Sequence, residues 1–112
     1  MADVTGQKTQ GPLAGLKVID LSHVMAGPTC SMLLADMGAD VIKVEKLPGG
    51  DDSRRMVPPT VAEESAAFLI MNRNKRGIAV DLKTEAGRAV LSRLLQNADV
   101  LIENYRRGTM ER

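Results

Sequence analysis

The sequence predicts an α/β fold in which an open parallel sheet carries helices on its faces. Three observations support this. From residue 17 onward, short Val- and Ile-rich runs alternate with helix-forming stretches. The run at 40–46 is apolar enough for a strand buried on both faces. Pro28, Gly38 and Thr84 stand where helices start and stop.

Residues 1–12 are polar, contain Gly6, Gly11 and Pro12, and read as a flexible leader. The domain proper spans 13–112. Residues 17–21 form a first strand. A helix over 28–37 places Pro28 at its first position, where a missing N–H costs nothing, and Gly38 ends it. Residues 40–46 are the second strand. The stretch 47–61, with Pro48, Gly49, Gly50, Pro58 and Pro59, is a long loop of the kind that often carries function. A helix over 63–71 and a third strand over 77–82 follow. Thr84 then caps an amphipathic helix over 85–96, with Val90, Leu91, Leu94 and Leu95 on one face. Residues 99–103 are a fourth strand, and 108–112 open another helix.

Strand-helix-strand repetition at this spacing implies right-handed crossovers. Four strands with both edges open make a poor domain alone. The sequence therefore reads as part of a larger domain, expected to expose apolar surface or to self-associate in isolation.

Composition narrows the function. The net charge of +1 gives no global field for nucleic acid. Basic residues cluster between Arg73 and Lys83 and from Arg106 to Arg112, which suits a small phosphorylated ligand or, more blandly, a solvated face. Phe68 and Tyr105 are the only aromatics, so the core is aliphatic, softened by seven Met. Cys30 is the sole cysteine, which excludes an internal disulfide and a zinc cluster. The start has no apolar signal core, and no run nears the ~20 apolar residues of a membrane helix. No membrane partner and a cytoplasmic location are expected.

Ligands of open α/β sheets bind past the carboxyl ends of the strands. His23-Val24-Met25-Ala26-Gly27-Pro28 occupies that position after the first strand. Gly27 admits a ligand close to the backbone. The amides of Thr29, Cys30 and Ser31 would face it at the positive end of the helix dipole. The alternative is a tight turn that simply needs Gly-Pro. The turn is not G-x-G-x-x-G. Glu45, ending the second strand, keeps a nicotinamide-binding half-domain as a runner-up, although the adjacent Lys46 favours a phosphate. Arg73-Asn74-Lys75-Arg76 leads into the third strand and Lys83 follows it; either is a candidate phosphate partner or a charged surface loop. Tyr105 can lie against an adenine or fill the core. His23, the only histidine, is also readable as a structural hydrogen-bonder, and Cys30 as a buried, inert thiol on an apolar helix face. Taken together, His23–Ala26, Lys46, Lys83 and Asn104–Arg106 describe an edge for a phosphorylated, adenine-containing ligand. No catalytic constellation is visible.

The ordered motifs 12–21, Ala26-Gly27-Pro28, 34–45, 50–54, 72–76, 81–83 and 98–105 resemble the family III CoA-transferases over almost the whole chain. The resemblance implies the N-terminal part of a Rossmann-like CoA-binding domain. It also implies acyl-CoA as a substrate rather than a resident cofactor, a small carboxylic acid as its partner, no metal, and an interlocked homodimer. CoA contacts are expected from His23, Val24, Met25, Ala26, Lys46, Val80, Asp81, Leu82, Lys83, Asn104, Tyr105, Arg106 and Arg112. Met25 stands where formyl-CoA transferase carries Gln near the reacting acyl group, and Arg106-Arg107 replaces the usual Arg-Pro or Gly-Pro; with these two departures the resemblance does not by itself imply formyl or oxalate specificity. In the family an aspartate attacks the acyl-CoA thioester and passes through a mixed anhydride and an aspartyl-CoA thioester. Its place in the family pattern is beyond Arg112, so no Asp of this chain takes that role. α-Methylacyl-CoA racemases resemble the chain too, but tend to carry a glycine-rich first turn and Glu-Gly in place of Glu103-Asn104. A racemase-like enzyme, or a nucleotide-binding module without chemistry, are the alternatives.

Overall fold

A computed structural model describes residues 11–111. The expected leader lies outside them except for Gly11 and Pro12, which begin a turn tied to the body: the Leu13 N–H donates to the Met37 carbonyl at 2.9 Å.

Four parallel strands form the main sheet: β1 (Lys17–Asp20), β2 (Asp40–Glu45), β5 (Arg76–Ala79) and β6 (Val100–Ile102), in the order β5-β2-β1-β6. The chain steps outward from β1 through β2 to β5, then returns to the far side of β1. Side chains alternate across a strand, so the two faces receive different sets. On one face Val18 and Val41 pack against Ala35 and Ala39, at the end of α1 (Ala26–Asp36). On the other, Ile19, Leu21, Val44 and Val80 pack with Leu91, Leu94 and Leu95 of α3 (Glu85–Leu95). The result is the three-layer α/β arrangement that the alternating pattern predicts.

Helix α3 forms where expected, with the Thr84 hydroxyl accepting from the Gly87 N–H at 3.0 Å. Val90, however, is exposed, while Leu91, Leu94 and Leu95 face the sheet. Helix α1 begins at Ala26, two residues before Pro28, with Met25 as its N-cap. Cys30 is on its exposed side rather than buried. The 47–61 region is a loop with a 3₁₀ turn at Asp52–Arg55. A small hairpin, β3 (Thr60–Val61) and β4 (Glu64–Ser65), then delays α2 to Ala66–Met71. The final segment forms only a 3₁₀ turn, Thr109–Glu111. Among the described residues no helix is long and apolar enough to cross a membrane.

Gly27 has a packing role. A Cβ there would lie 2.2 Å from the Ser22 Cβ. Ser22 is buried and held by its N–H bond to Asp20 at 2.8 Å, so it has no room to yield. We predict that Gly27→Ala destabilises the fold by about 1–3 kcal/mol, the usual cost of overpacking. Urea denaturation should show a lower midpoint at unchanged slope; an unchanged midpoint would remove the packing role.

Candidate functional site

The carboxyl ends of the strands surround a cavity of about 800 Å³, within the range of ligand pockets of roughly 300–1,000 Å³. Its walls come from each strand end. His23 follows β1, Val44 to Pro48 run off β2, Val80 to Lys83 follow β5, and Tyr105 follows β6. Val44, Val80 and Leu91 give an apolar floor continuous with the α3-side core, while Lys46, Lys83 and Arg88 supply positive charge. The Lys46 ammonium pairs with Asp52 at 2.9 Å, but both side chains are about half exposed, so a ligand phosphate can displace it at small cost. Among the described residues the Lys83 ammonium has no partner.

His23 and Tyr105 meet across the cavity mouth with ring centroids 5.3 Å apart and planes tilted by 54°. Burial pushes the His23 pKa below its ordinary value, against the pull of Asp51. Asn104 locks the turn: its Oδ1 accepts from the His23 N–H at 3.0 Å and its Nδ2 donates to the His23 carbonyl at 2.9 Å. Joining β1 to β6, this clamp sits where the strand order reverses, the usual place for a ligand in such sheets.

Below the turn, on the α1 side, lies a buried charged layer. Lys43 and Asp51 are 2.7 Å apart with side chains 3% and 0% exposed. Lys75 and Asp20 are 3.1 Å apart with side chains 1% and 0% exposed. Asp20 also accepts from the Ser22 and Ser31 hydroxyls. Glu45 takes a bidentate Arg54 at 2.7 and 2.8 Å and the Asp51 N–H at 2.9 Å. Burial raises the Asp51 pKa, but the Lys43 ammonium and the N–H groups of Ser53 and Val24 outweigh it and hold the carboxyl at about 2.

Seven of the expected contact residues line the cavity: His23, Lys46, Val80, Asp81, Leu82, Lys83 and Tyr105. Val24, Met25, Ala26, Asn104 and Arg106 flank it without lining it, and Arg112 lies outside the described residues. Arg88, Leu91, Thr109 and Met110 line it unforeseen. The i, i+3 spacing of Arg88 and Leu91 on α3 was the available signal.

Three expectations change. The run 73–76 does not serve the ligand edge: Arg73 pairs with Asp36 at 2.7 Å, Arg76 with Asp40 at 2.7 Å, and Lys75 is buried on Asp20. Asp40 and Arg76 open their strands, at the opposite end of the sheet from the cavity. Glu45 does not offer a ribose carboxylate, because both its oxygens are taken by Arg54. Finally, the Thr29 N–H is used inside the helix, donating to the Met25 carbonyl at 2.8 Å, so it does not face a ligand. Among the described residues no group of His, Cys, Asp or Glu is arranged to hold a metal.

The model of CoA-transferase family III matches residues 13–112. The chain is 48% identical over 113 residues to succinate–glutarate CoA-transferase of Agrobacterium fabrum, covering 96% of this chain and 28% of that protein. It is 46% identical over 99 residues to human succinyl-CoA:glutarate CoA-transferase, covering 88% of this chain and 23% of that protein. Among solved structures it is similar to a CaiB/BaiF family protein from Brucella suis, with a TM-score of 0.85 and 46% identity, covering 91% of this chain and 28% of that one. The chain thus spans about a quarter of the length of these relatives.

The low pKa of Asp51 makes a stability prediction. The carboxyl titrates at about 2 in the fold against 3.8 as an ordinary aspartate. Its stabilisation is therefore complete above pH 4 and lost as pH falls toward 2, worth about 2 kcal/mol. Asp20, also lowered, acts in the same sense. Urea midpoints measured from pH 5 to pH 2 should fall mainly below pH 4, and Asp51→Asn should flatten part of that slope.

Proposed function

The chain belongs to CoA-transferase family III, and from that premise we propose that it is the N-terminal, CoA-binding portion of an enzyme that moves CoA from an acyl-CoA donor to a small carboxylic acid. One observation carries the binding role: a cavity at the carboxyl edge with an apolar floor and a rim of Lys46, Lys83 and Arg88. Coenzyme A pairs an adenine ring with a pyrophosphate and a ribose phosphate. The floor beside Tyr105 suits the ring, and the cations suit the phosphates. His23 and the turn behind it, with Met25 and Ala26, form the wall toward the thioester arm, and Asn104 fixes that wall. The acids named for the relatives, succinate and glutarate, make a small dicarboxylate a fitting acceptor class. The similarity to transferases favours this reading over a racemase.

The nucleophilic aspartate of the transfer lies outside these residues. Asp20 and Asp51 are buried in ion pairs, Glu45 is held by Arg54, and Asp52 by Lys46 and Arg55. Each of these carboxylates stabilises a cation, and none is free to attack a thioester. We further propose that the enzyme is an interlocked homodimer, as the family resemblance implies, and that it works in the cytoplasm.

Two outcomes test the proposal. In the full-length protein, Lys83→Ala should weaken CoA binding about tenfold or more, the loss of one charge-assisted contact; unchanged affinity by calorimetry returns Lys83 to a solvated surface role. The 112-residue chain alone, given acyl-CoA and a dicarboxylic acid, should show only background exchange by chromatography. Turnover at an enzyme-like rate would place the nucleophile within it.

A further inference from the structure

We infer that the buried Lys43–Asp51 pair is a positioning element that dictates the backbone shape of the turn at Ser22–Val24, and through it the wall of the CoA cavity. The second half of this inference rests on the proposed CoA-binding role; the first half does not.

The pair's polar atoms reach the backbone on either side of His23. Lys43 Nζ donates to the Ser22 carbonyl at 3.1 Å. Asp51 Oδ1 accepts from the Val24 N–H at 3.0 Å. Asn104 takes the two groups between them, the N–H and carbonyl of His23. Four successive backbone groups are thus held by three side chains from three different segments. Neither Lys43 nor Asp51 lines the cavity, so they act through the turn.

Val24 shows what this grip accomplishes. Its φ is +68°, a left-handed conformation that is strongly disfavoured for a β-branched residue. Such a conformation persists only where the surroundings over-determine it, and such residues cluster at ligand clamps. The Asp51 bond supplies that determination. Asp51 is itself fixed: its Oδ1 accepts from the Ser53 N–H and hydroxyl, each at 2.9 Å, and its own N–H is bound by Glu45. Gly50, at φ +70°, lets this segment approach, since a Cβ there would meet Glu45 Oε1 at 2.8 Å. The same loop carries Leu47 and Pro48 on the cavity wall, so one ion pair ties two walls together. Apolar residues in place of a buried ion pair are often as stable, but they offer no directional bonds to Ser22 and Val24.

The test uses the full-length protein, with crystal structures and CoA calorimetry on wild type, on Lys43→Met/Asp51→Leu, and on that pair combined with Val24→Gly. Replacing both charges with apolar side chains leaves neither buried and unpaired but removes the bonds to Ser22 and Val24, so Val24 should relax to negative φ and CoA affinity should fall roughly tenfold. The triple variant should keep the left-handed turn, because glycine adopts it without strain, and should recover much of the affinity. Val24 retaining φ near +68° in Lys43→Met/Asp51→Leu would overturn the inference whatever CoA does. So would a triple variant that fails to fold or regains no affinity, since the pair would then serve bulk stability alone. Wild type that binds no CoA would sink the proposed function, while the Val24 φ in the variant still decides the positioning role.

Discussion

Two lysines buried on the α1 side of the sheet, Lys43 and Lys75, set the terms for the whole carboxyl edge. A charge removed from water costs several kcal/mol unless paired and hydrogen-bonded. Each therefore recruits a carboxylate, Asp51 and Asp20 respectively, at 2.7 and 3.1 Å. Burial pushes the Lys75 pKa down and Asp20 opposes it, so the pair persists as ions through mutual support. The geometry this demands is non-local. Lys75 also donates to the Pro28 carbonyl at 3.0 Å and to Asn72 at 2.8 Å, fastening the approach to β5 onto the start of α1. Asp51 reaches Lys43 only because the loop after β2 folds back over the sheet. The loops at this edge are thus fixed by charge pairing.

This divides the sheet unequally. The α3 side is apolar along its length. The α1 side is apolar only near the strand starts, at Val18 and Val41, and turns ionic toward the strand ends, at Asp20, Lys43 and Glu45. The cavity opens where the apolar side ends and exposed cations begin. An amphiphilic ligand finds a greasy floor and a charged rim, while the ionic layer behind the turn keeps the wall in place. Val24, whose left-handed backbone costs of order 1–3 kcal/mol, is tolerable only beside so constrained a layer.

The main elements were legible because their signals are local. Val/Ile runs mark the strands, Thr84 caps α3, and the rule that ligands sit at the carboxyl edge located Lys46, Lys83 and Tyr105. What was not legible depends on register or on partners distant in sequence. Ala62 and Glu63 form a two-residue hairpin turn with φ of +50° and +68°, yet carry none of the Asn-Gly chemistry that announces one. Lys43 reads as an ordinary strand residue and Glu45 as a candidate ribose carboxylate, and nothing near them in sequence says that Asp51 and Arg54 will pair with them. Arg76 and Lys83 look alike as cations beside one strand. Their order about the strand separates them, and the pairing of Ile42 with Arg76 fixes Arg76 at the amino end, far from the cavity that Lys83 lines.

The chemistry open to this edge follows from which charges are already spent. Asp51, Asp20, Glu45 and Asp52 are committed to Lys43, Lys75, Arg54 and Lys46, and Asp81 on the cavity wall accepts from the Lys83 N–H at 3.0 Å. His23 is held on the neutral side by burial, and its ring packs against Tyr105. The positive charge facing the cavity therefore belongs to Lys46, Lys83 and Arg88. On the proposed CoA-binding reading, the edge positions its ligand by shape and fixed charge, and bond-making falls to other groups.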